Sequence, residues 1–219
     1  MNRRDFSAQL AVTGLGAAAS SLFLAAGPAS AQGAPAEGRQ FMKVEPPVPP
    51  IVPGKIEVLE FFSYACPHCS AFEPTIEAWA KKLPADVAFH RVPVPFLMNA
   101  ENLMRTYYTL ETMGLVATMQ RKVFTAIHVE NNRLEKPADI AALMTKNGVD
   151  GAKFTSVFGS FSVASSVARA KKLMASYKLE SVPTVVVNGR WITSPAQAGG
   201  SEQVLAVTDY LLQRSRIKA

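Results

Sequence analysis

Apolar residues recur along the chain with two different periods, and these periods predict the order of strands and helices. Residues 56–62 (IEVLEFF) are mostly apolar and rich in strand formers, as in a central strand covered on both faces. From residue 66 to about residue 83 the apolar positions recur every three or four residues, which predicts an amphipathic helix. Residues 87–94 return to a strand pattern. The first part of the chain is therefore predicted to fold as strand, helix and strand.

A long helical stretch follows and separates this unit from a second group of strands. Strand character returns at residues 184–187 and 190–192, on either side of the hairpin signal Asn188-Gly189, and a last helix is predicted over about 201–214. Short loops join the intervening helices, which indicates a compact helical subdomain. These helices are predicted at 100–113, 115–129, 137–147, 151–160 and 162–178.

Residues 1–31 have the pattern of a cleaved export signal. Basic residues at the start precede an apolar run that reaches about Ala26, and Ala29-Ser30-Ala31 forms an A-x-A cleavage site. Arg3-Arg4-Asp5-Phe6 also resembles a twin-arginine motif, but Ser7-Ala8 follows where that motif prefers Leu and Lys, so the export route stays open. The mature chain is predicted to be periplasmic.

Composition and charge limit the size of the domain and the class of partner, but they do not identify a function. The chain has 219 residues and a formal net charge of +6, and without the export signal it is long enough for one ordinary domain with a proper core. A basic chain can bind nucleic acid, but an exported protein seldom meets any, so no nucleic acid partner is predicted. An oxidising compartment suits a cysteine pair that cycles through a disulfide.

The only two cysteines, Cys66 and Cys69, stand where the strand pattern gives way to the helical one. This position places the first sulfur at a helix N-terminus, where unpaired backbone N–H groups and the helix dipole favour a thiolate. Cys66 is therefore predicted to be the nucleophile of a redox-active Cys-x-x-Cys motif.

Other uses of the cysteine pair fit less well. A zinc site normally needs four ligands, and only three scattered histidines are available besides the two cysteines, so no metal is predicted. Haem attachment needs a histidine directly after the second cysteine, where the chain has Ser70. A structural disulfide remains open, although so short a loop gains little chain entropy.

Glu60 interrupts the apolar side of the first strand, six residues before Cys66. It shares that side with Ile56, Val58 and Phe62. In one interpretation its carboxylate reaches water at the end of the sheet; in the other it is a partly buried acid that relays protons to the second cysteine. His90 and Arg91, on the next strand, are predicted to face solvent.

The element order resembles the thioredoxin fold, an α/β fold. With the export signal, Cys66-Pro67-His68-Cys69, the helical insertion and Val182-Pro183, the chain resembles the DsbA family of periplasmic dithiol oxidases over essentially its whole mature length. The resemblance implies a thioredoxin-like domain at residues 32–97 and 179–219, with an inserted helical subdomain at 98–178.

The resemblance also implies roles for individual residues. Cys66 is expected to attack, and Cys69 to be the buried resolving cysteine. His68 is expected to stabilise the Cys66 thiolate, and Pro67 fits the first helical turn. Further expectations are a cis peptide bond at Pro183, substrate backbone binding by Val182 and Pro183, and a buried acid at Glu60 with Arg91 as its basic companion, where the family often has Lys.

The function implied is disulfide donation to exported proteins that carry free thiols, with reoxidation by a quinone-linked membrane protein of the DsbB type. No G-x-G-x-x-G motif follows a strand, so no cofactor is predicted, and a monomer is expected. A periplasmic disulfide reductase or isomerase stays open, but residues 32–53 are too short for the dimerisation domain of the DsbC type. A non-catalytic exported binding or chaperone module also stays open.

Overall fold

Five strands form one mixed sheet in the order β1-β5-β4-β2-β3. The computed structural model describes residues 33–217, so the predicted export signal at residues 1–31 lies outside the described residues. The strands are β1 (Met42–Lys43), β2 (Ile56–Phe62), β3 (Val87–Pro93), β4 (Thr184–Val187) and β5 (Trp191–Thr193). The helices are α1 (Pro67–Ala80), α2 (Ala100–Thr112), α3 (Val116–His128), α4 (Pro137–Lys146), α5 (Gly151–Phe158), α6 (Phe161–Ser176), α7 (Pro195–Ala198) and α8 (Ser201–Ile217).

Strand β2 lies inside the sheet and carries the cysteine motif at its end. It pairs in parallel with β3, with Glu60 opposite Arg91, and antiparallel with β4, with Glu60 opposite Val185. A parallel pair needs a crossover connection, and α1 supplies it. The carboxyl end of β2 therefore leads directly into the first turn of α1, where the cysteines lie.

Alternate residues of β2 enter two separate hydrophobic cores, as a strand covered on both faces requires. Val58 packs in the core that contains residues of α1 and α8, such as Ile76 and Leu211. Leu59 and Phe61 pack in the core that contains residues of α2, α3 and α6. The helical insertion between β3 and β4 thus covers one face of the sheet.

The predicted α/β architecture and every predicted strand and helix are confirmed. The difference is one additional short helix, α7, which follows β5. The four-residue helix α7 was not predicted, because it is too short to show a helical period. The Ser194 side chain caps it by accepting from the Gln197 N–H (3.1 Å), and Pro195 occupies its first turn. The boundaries of the insertion at residues 98 and 178 stay a prediction. Across residues 33–217, no helix is long and apolar enough to cross a membrane.

Candidate active site

Cys66 caps the N-terminus of α1, as its position in the sequence predicted. Its backbone is extended (φ −91°, ψ 116°), and its Sγ accepts a hydrogen bond from the Cys69 N–H at 3.3 Å. Pro67 occupies the first turn, where a missing N–H costs nothing. Both thiols are free, and Cys69 is almost wholly buried while Pro67 and His68 are exposed.

The two thiols have opposite acidities. Hydrogen bonding from the Cys69 thiol lowers the pKa of Cys66 to about 6, against the opposing effect of burial, with further help from the backbone N–H groups of Cys69 and His68. The charge of His68 acts in the same direction but contributes least. Burial, followed by hydrogen bonding to Cys66, raises the pKa of Cys69 far above its usual value. At neutral pH the pair therefore holds one thiolate, on Cys66, and one thiol, on Cys69.

Direct hydrogen bonds to the Cys66 sulfur lower its pKa more than the helix dipole does. A change of one pKa unit corresponds to about 1.4 kcal/mol. A charge at a helix terminus usually gains only about 0.3–1 kcal/mol. The helix dipole alone therefore cannot bring a cysteine from its ordinary pKa of 9.0 to about 6, whereas charge-assisted bonds to sulfur add to it.

A groove runs beside Cys66 and contains the predicted substrate-binding residues. The Val182-Pro183 peptide bond is cis, as expected, and the Val182 carbonyl oxygen lies 3.5 Å from Cys66 Sγ. His68, Val182 and Pro183 line this groove, whose volume is about 340 Å³. The start of α7 forms another wall, at Ser194, Pro195 and Ala196, and the sequence interpretation missed it together with the helix.

A buried charge cluster lies behind the cysteines. Arg91 Nε donates to Glu60 at 2.9 Å, and Arg91 Nη2 donates to Glu73 at 2.8 Å. The Glu60 side chain is 1% exposed and that of Arg91 11%. The expectation that Arg91 faces solvent is therefore wrong, and of the two interpretations of Glu60 the one in which its carboxylate reaches water is excluded, because the two side chains pair inside the protein. The pairing of Glu60 with Arg91 is as expected from the family resemblance.

Glu73 is the residue of this cluster that sequence reasoning missed. It lies on α1 four residues after Cys69 and three before Ile76, so all three share the buried face of the helix. That spacing was the available signal, since an acid at an apolar-face position needs a buried partner. The partner is on β3 and becomes visible only in the folded chain.

The single guanidinium of Arg91 is bonded to two carboxylates, those of Glu60 and Glu73. Because one positive charge cannot neutralise two negative charges, the cluster readily holds a proton. Burial raises the pKa of Glu73 to about 7, against the lowering effect of Arg91, and the charge of Glu60 raises it further. Burial likewise raises the pKa of Glu60, and Arg91 opposes it. The charge of Glu60 also helps to raise the pKa of Cys69, so the acid and the second cysteine interact electrostatically. A proton shared between coupled carboxylates titrates with the pair rather than with either residue.

Among residues 33–217, no three His, Cys, Asp or Glu side chains are grouped so as to hold a metal ion. His68 is exposed beside Cys66, whereas His90 lies on β3 and His128 is the last residue of α3.

Comparison with known proteins gives one consistent answer. The DSBA-like thioredoxin domain family matches residues 57–211. The chain is 44% identical over 184 residues to the thiol:disulfide interchange protein DsbA of Pseudomonas aeruginosa, covering 83% of this chain and 86% of the relative. It is 43% identical over 217 residues to the DsbA of Bordetella parapertussis, covering 99% and 100% of the two chains.

Solved structures agree with this result. The crystal structure of Pseudomonas aeruginosa DsbA matches with a TM-score of 0.81 at 42% identity, covering 84% of this chain and 95% of that chain. The oxidoreductase DsbA from Xylella fastidiosa matches with a TM-score of 0.77 at 29% identity, covering 84% and 98%. The family match at residues 57–211 spans the cysteine helix α1 and all the helices between β3 and β4.

Proposed function

The chain belongs to the DsbA-like thioredoxin family of thiol:disulfide oxidoreductases, and on this basis we propose that it is a periplasmic disulfide oxidase. It donates the Cys66–Cys69 disulfide to exported proteins. The observation that supports this direction of transfer is the low pKa of Cys66, about 6, beside a Cys69 thiol that stays protonated. A stable thiolate stabilises the reduced protein, so the disulfide is readily passed on.

The proposed reaction has two exchange steps that conserve electrons. A substrate thiolate attacks Cys66 Sγ of the disulfide, the S–S bond to Cys69 breaks, and Cys69 leaves as a thiolate that takes up a proton. A second substrate thiolate then attacks the substrate sulfur of this mixed disulfide, and Cys66 leaves as a stabilised thiolate. The client gains a disulfide and the oxidase keeps both electrons as a dithiol.

Substrate binding is assigned to the groove beside Cys66. The Val182 carbonyl lies 3.5 Å from Cys66 Sγ, and we assign to it the acceptance of a backbone hydrogen bond from an extended client segment in the groove. Pro183 follows directly and shapes the same wall. His68, exposed at the rim, acts there as a further contact and as a positive charge beside the thiolate.

Reoxidation needs an electron acceptor from outside the chain, because the cycle ends in a dithiol. We assign this role to a quinone-linked membrane oxidase of the DsbB type, on the family resemblance and the predicted periplasmic location. A monomer suffices for the chemistry, since both cysteines and the groove come from one chain. A reductase or isomerase is the competing function, and the redox equilibrium separates it from an oxidase.

The decisive experiment measures the equilibrium of purified residues 32–219 with glutathione, followed through the Cys66–Cys69 pair. We expect a potential clearly more oxidising than the thioredoxin value of about −270 mV. We also expect the reduced protein to be more stable than the oxidised one in urea unfolding. A thioredoxin-like potential would contradict the oxidase assignment and indicate a reductase.

The stability difference between the two redox forms is expected to depend on pH. The pKa of Cys66 is depressed in the folded reduced protein, from 9.0 to about 6, so its stabilising effect is complete above pH 9 and is lost as the pH falls through 6. The oxidised protein has no Cys66 thiol to titrate. The advantage of the reduced form should therefore be larger at pH 8 than at pH 6. A difference independent of pH would mean that Cys66 is not held as a thiolate.

We further propose that Glu60 relays protons to and from Cys69. Glu60→Gln removes the ionisable group but keeps the shape, and we expect Cys69 to resolve a mixed disulfide between Cys66 and glutathione about 10²-fold more slowly. Stopped-flow fluorescence follows this step. Glu57→Gln is the matched control, because Glu57 is also buried on β2 but lies at its opposite end. If Cys69 resolved the mixed disulfide at an unaltered rate in Glu60→Gln, the relay proposal would be wrong.

A further inference from the structure

Tyr64, two residues before Cys66, is held by one face of α3. The His128 Nε2–H donates to the Tyr64 carbonyl oxygen at 2.8 Å, since a carbonyl oxygen can only accept. The Tyr64 ring meets the Phe124 ring edge-on, with centroids 5.1 Å apart. The Tyr64 hydroxyl donates to Gln120 Oε1 at 2.5 Å. Gln120, Phe124 and His128 follow one another at intervals of four residues, and we call these three residues the α3 clamp.

The clamp acts on the turn that presents the nucleophile. Residues 63–66 leave β2 and enter α1, with the Cys66 N–H bonded to the Ser63 carbonyl at 3.1 Å and the Ala65 N–H bonded to Ser63 Oγ at 3.1 Å. Tyr64 is 1% exposed, so the turn is pinned from inside the protein. The position of this turn sets how closely Cys66 Sγ approaches the Cys69 N–H, now 3.3 Å away.

We propose that the α3 clamp positions the active-site turn, so that the helical insertion tunes the redox equilibrium of the cysteine pair. Tyr64, Gln120 and His128 are positioning residues that act through Cys66. This proposal rests on the proposed function of Cys66 as the nucleophile. It gives the insertion, which covers one face of the sheet, a direct connection to the chemistry.

The two redox forms depend on the clamp unequally. In the dithiol form, hydrogen bonds alone hold the Cys66 sulfur at the helix N-terminus, and they weaken as the donor moves away. In the disulfide form, the covalent bond to Cys69 holds the same sulfur whatever the turn does. Loosening the turn therefore destabilises the reduced protein more than the oxidised protein.

Two substitutions loosen the clamp with little change of volume. Tyr64→Phe removes only the hydroxyl that Gln120 accepts, and His128→Leu removes the donor to the Tyr64 carbonyl. Gln120 itself also donates to Glu73 at 3.3 Å, so its substitution would disturb the charge cluster as well and is less informative. His128→Gln keeps a side-chain N–H donor and serves as the conservative variant.

The experiment measures the glutathione equilibrium and titrates the Cys66 thiolate by its absorbance at 240 nm, in the full chain and its variants. For Tyr64→Phe and for His128→Leu we expect a shift of at least about threefold toward the disulfide form, about 14 mV more reducing. The pKa of Cys66 should rise in both. His128→Gln should recover most of the wild-type equilibrium. Thr118→Val is the matched control, because the Thr118 hydroxyl, also on α3, donates to the carbonyl of Leu115 just before this helix and lies outside the clamp.

Urea unfolding of both redox forms distinguishes positioning from plain stabilisation. Equal destabilisation of the dithiol and disulfide forms, with an unchanged potential, would overturn the proposal and leave the clamp a structural contact. An equal shift in Thr118→Val would overturn it too. The wild-type potential tests the proposed function by itself, whereas only the differences between variants test the clamp.

Discussion

Replacing Cys66 with serine is expected to abolish client oxidation, lowering the rate at least about 10³-fold because a serine oxygen can form neither the disulfide with Cys69 that clients attack nor the mixed disulfide. The measurement is the oxidation of a reduced peptide that contains two cysteines, with residues 32–219 as the disulfide donor. The fold should survive, since the change replaces one small side chain at the first turn of α1.

Cys69→Ser is the matched variant and should fail in a different way. It keeps the acidic Cys66 thiolate but lacks the resolving thiol, so the mixed disulfides that form when Cys66 attacks the disulfide of an oxidised client should accumulate and be visible on non-reducing gels. Unchanged client oxidation by Cys66→Ser would contradict the proposed function and favour a non-catalytic exported module. Trapping by Cys66→Ser instead of Cys69→Ser would exchange the two assigned roles.

Replacing Arg91 with methionine is expected to lower the free energy of unfolding at pH 8 by about 3–5 kcal/mol, the usual cost of leaving a buried charge without its partner. Arg91 is the cation bonded to both Glu60 and Glu73, and both carboxylates are buried. Urea unfolding at pH 5 and pH 8 measures the effect.

The loss should grow with pH. Without Arg91 the folded-state pKa values of Glu60 and Glu73 rise further above 4.5, because burial already raises both and Arg91 opposes that rise. An acid whose pKa is raised by folding stabilises the protein below its unfolded pKa, and that stability is lost as the pH rises through the folded value. The variant should therefore be close to the parent at pH 5 and much weaker at pH 8.

The control for this prediction removes the charges together. Adding Glu60→Gln and Glu73→Gln to Arg91→Met replaces an uncompensated pair of acids with neutral groups, and should recover most of the stability at pH 8. A loss that is the same at both pH values, or that the added substitutions do not recover, would mean that Arg91 contributes by packing rather than by charge.

Sequence reasoning reached the main features of the site because they are local. The thiolate at Cys66 follows from a strand that ends, a helix that begins and a cysteine at the junction, and all three are visible within residues 56–83. The helical insertion follows from helical periodicity over 96–178. The hairpin of β4 and β5, which follows Val182-Pro183 in the chain, was likewise predicted from the local turn signal Asn188-Gly189.

The contacts that reach across the chain were beyond such reasoning. Arg91 was assigned to solvent from its own strand, because the two acids that bind it lie 31 and 18 residues away in sequence. Helix α7 was missed because four residues carry no measurable period, although Ser194 and Pro195 supply a cap and a first turn. The contacts of Tyr64 with α3 leave no local sequence signal, because Gln120 and His128 lie 56 and 64 residues further along the chain.

By itself, the sequence determined the order of strands and helices and the helix that carries the cysteines, and it led to Cys66 as the proposed nucleophile, because each depends on spacing between near neighbours. Only the tertiary structure decided which acids share Arg91, which carbonyl lies beside Cys66 and which helix holds Tyr64. These are contacts between side chains from distant segments of the chain. Their geometry is set by the packing of the helical insertion and β3 around the buried strand β2.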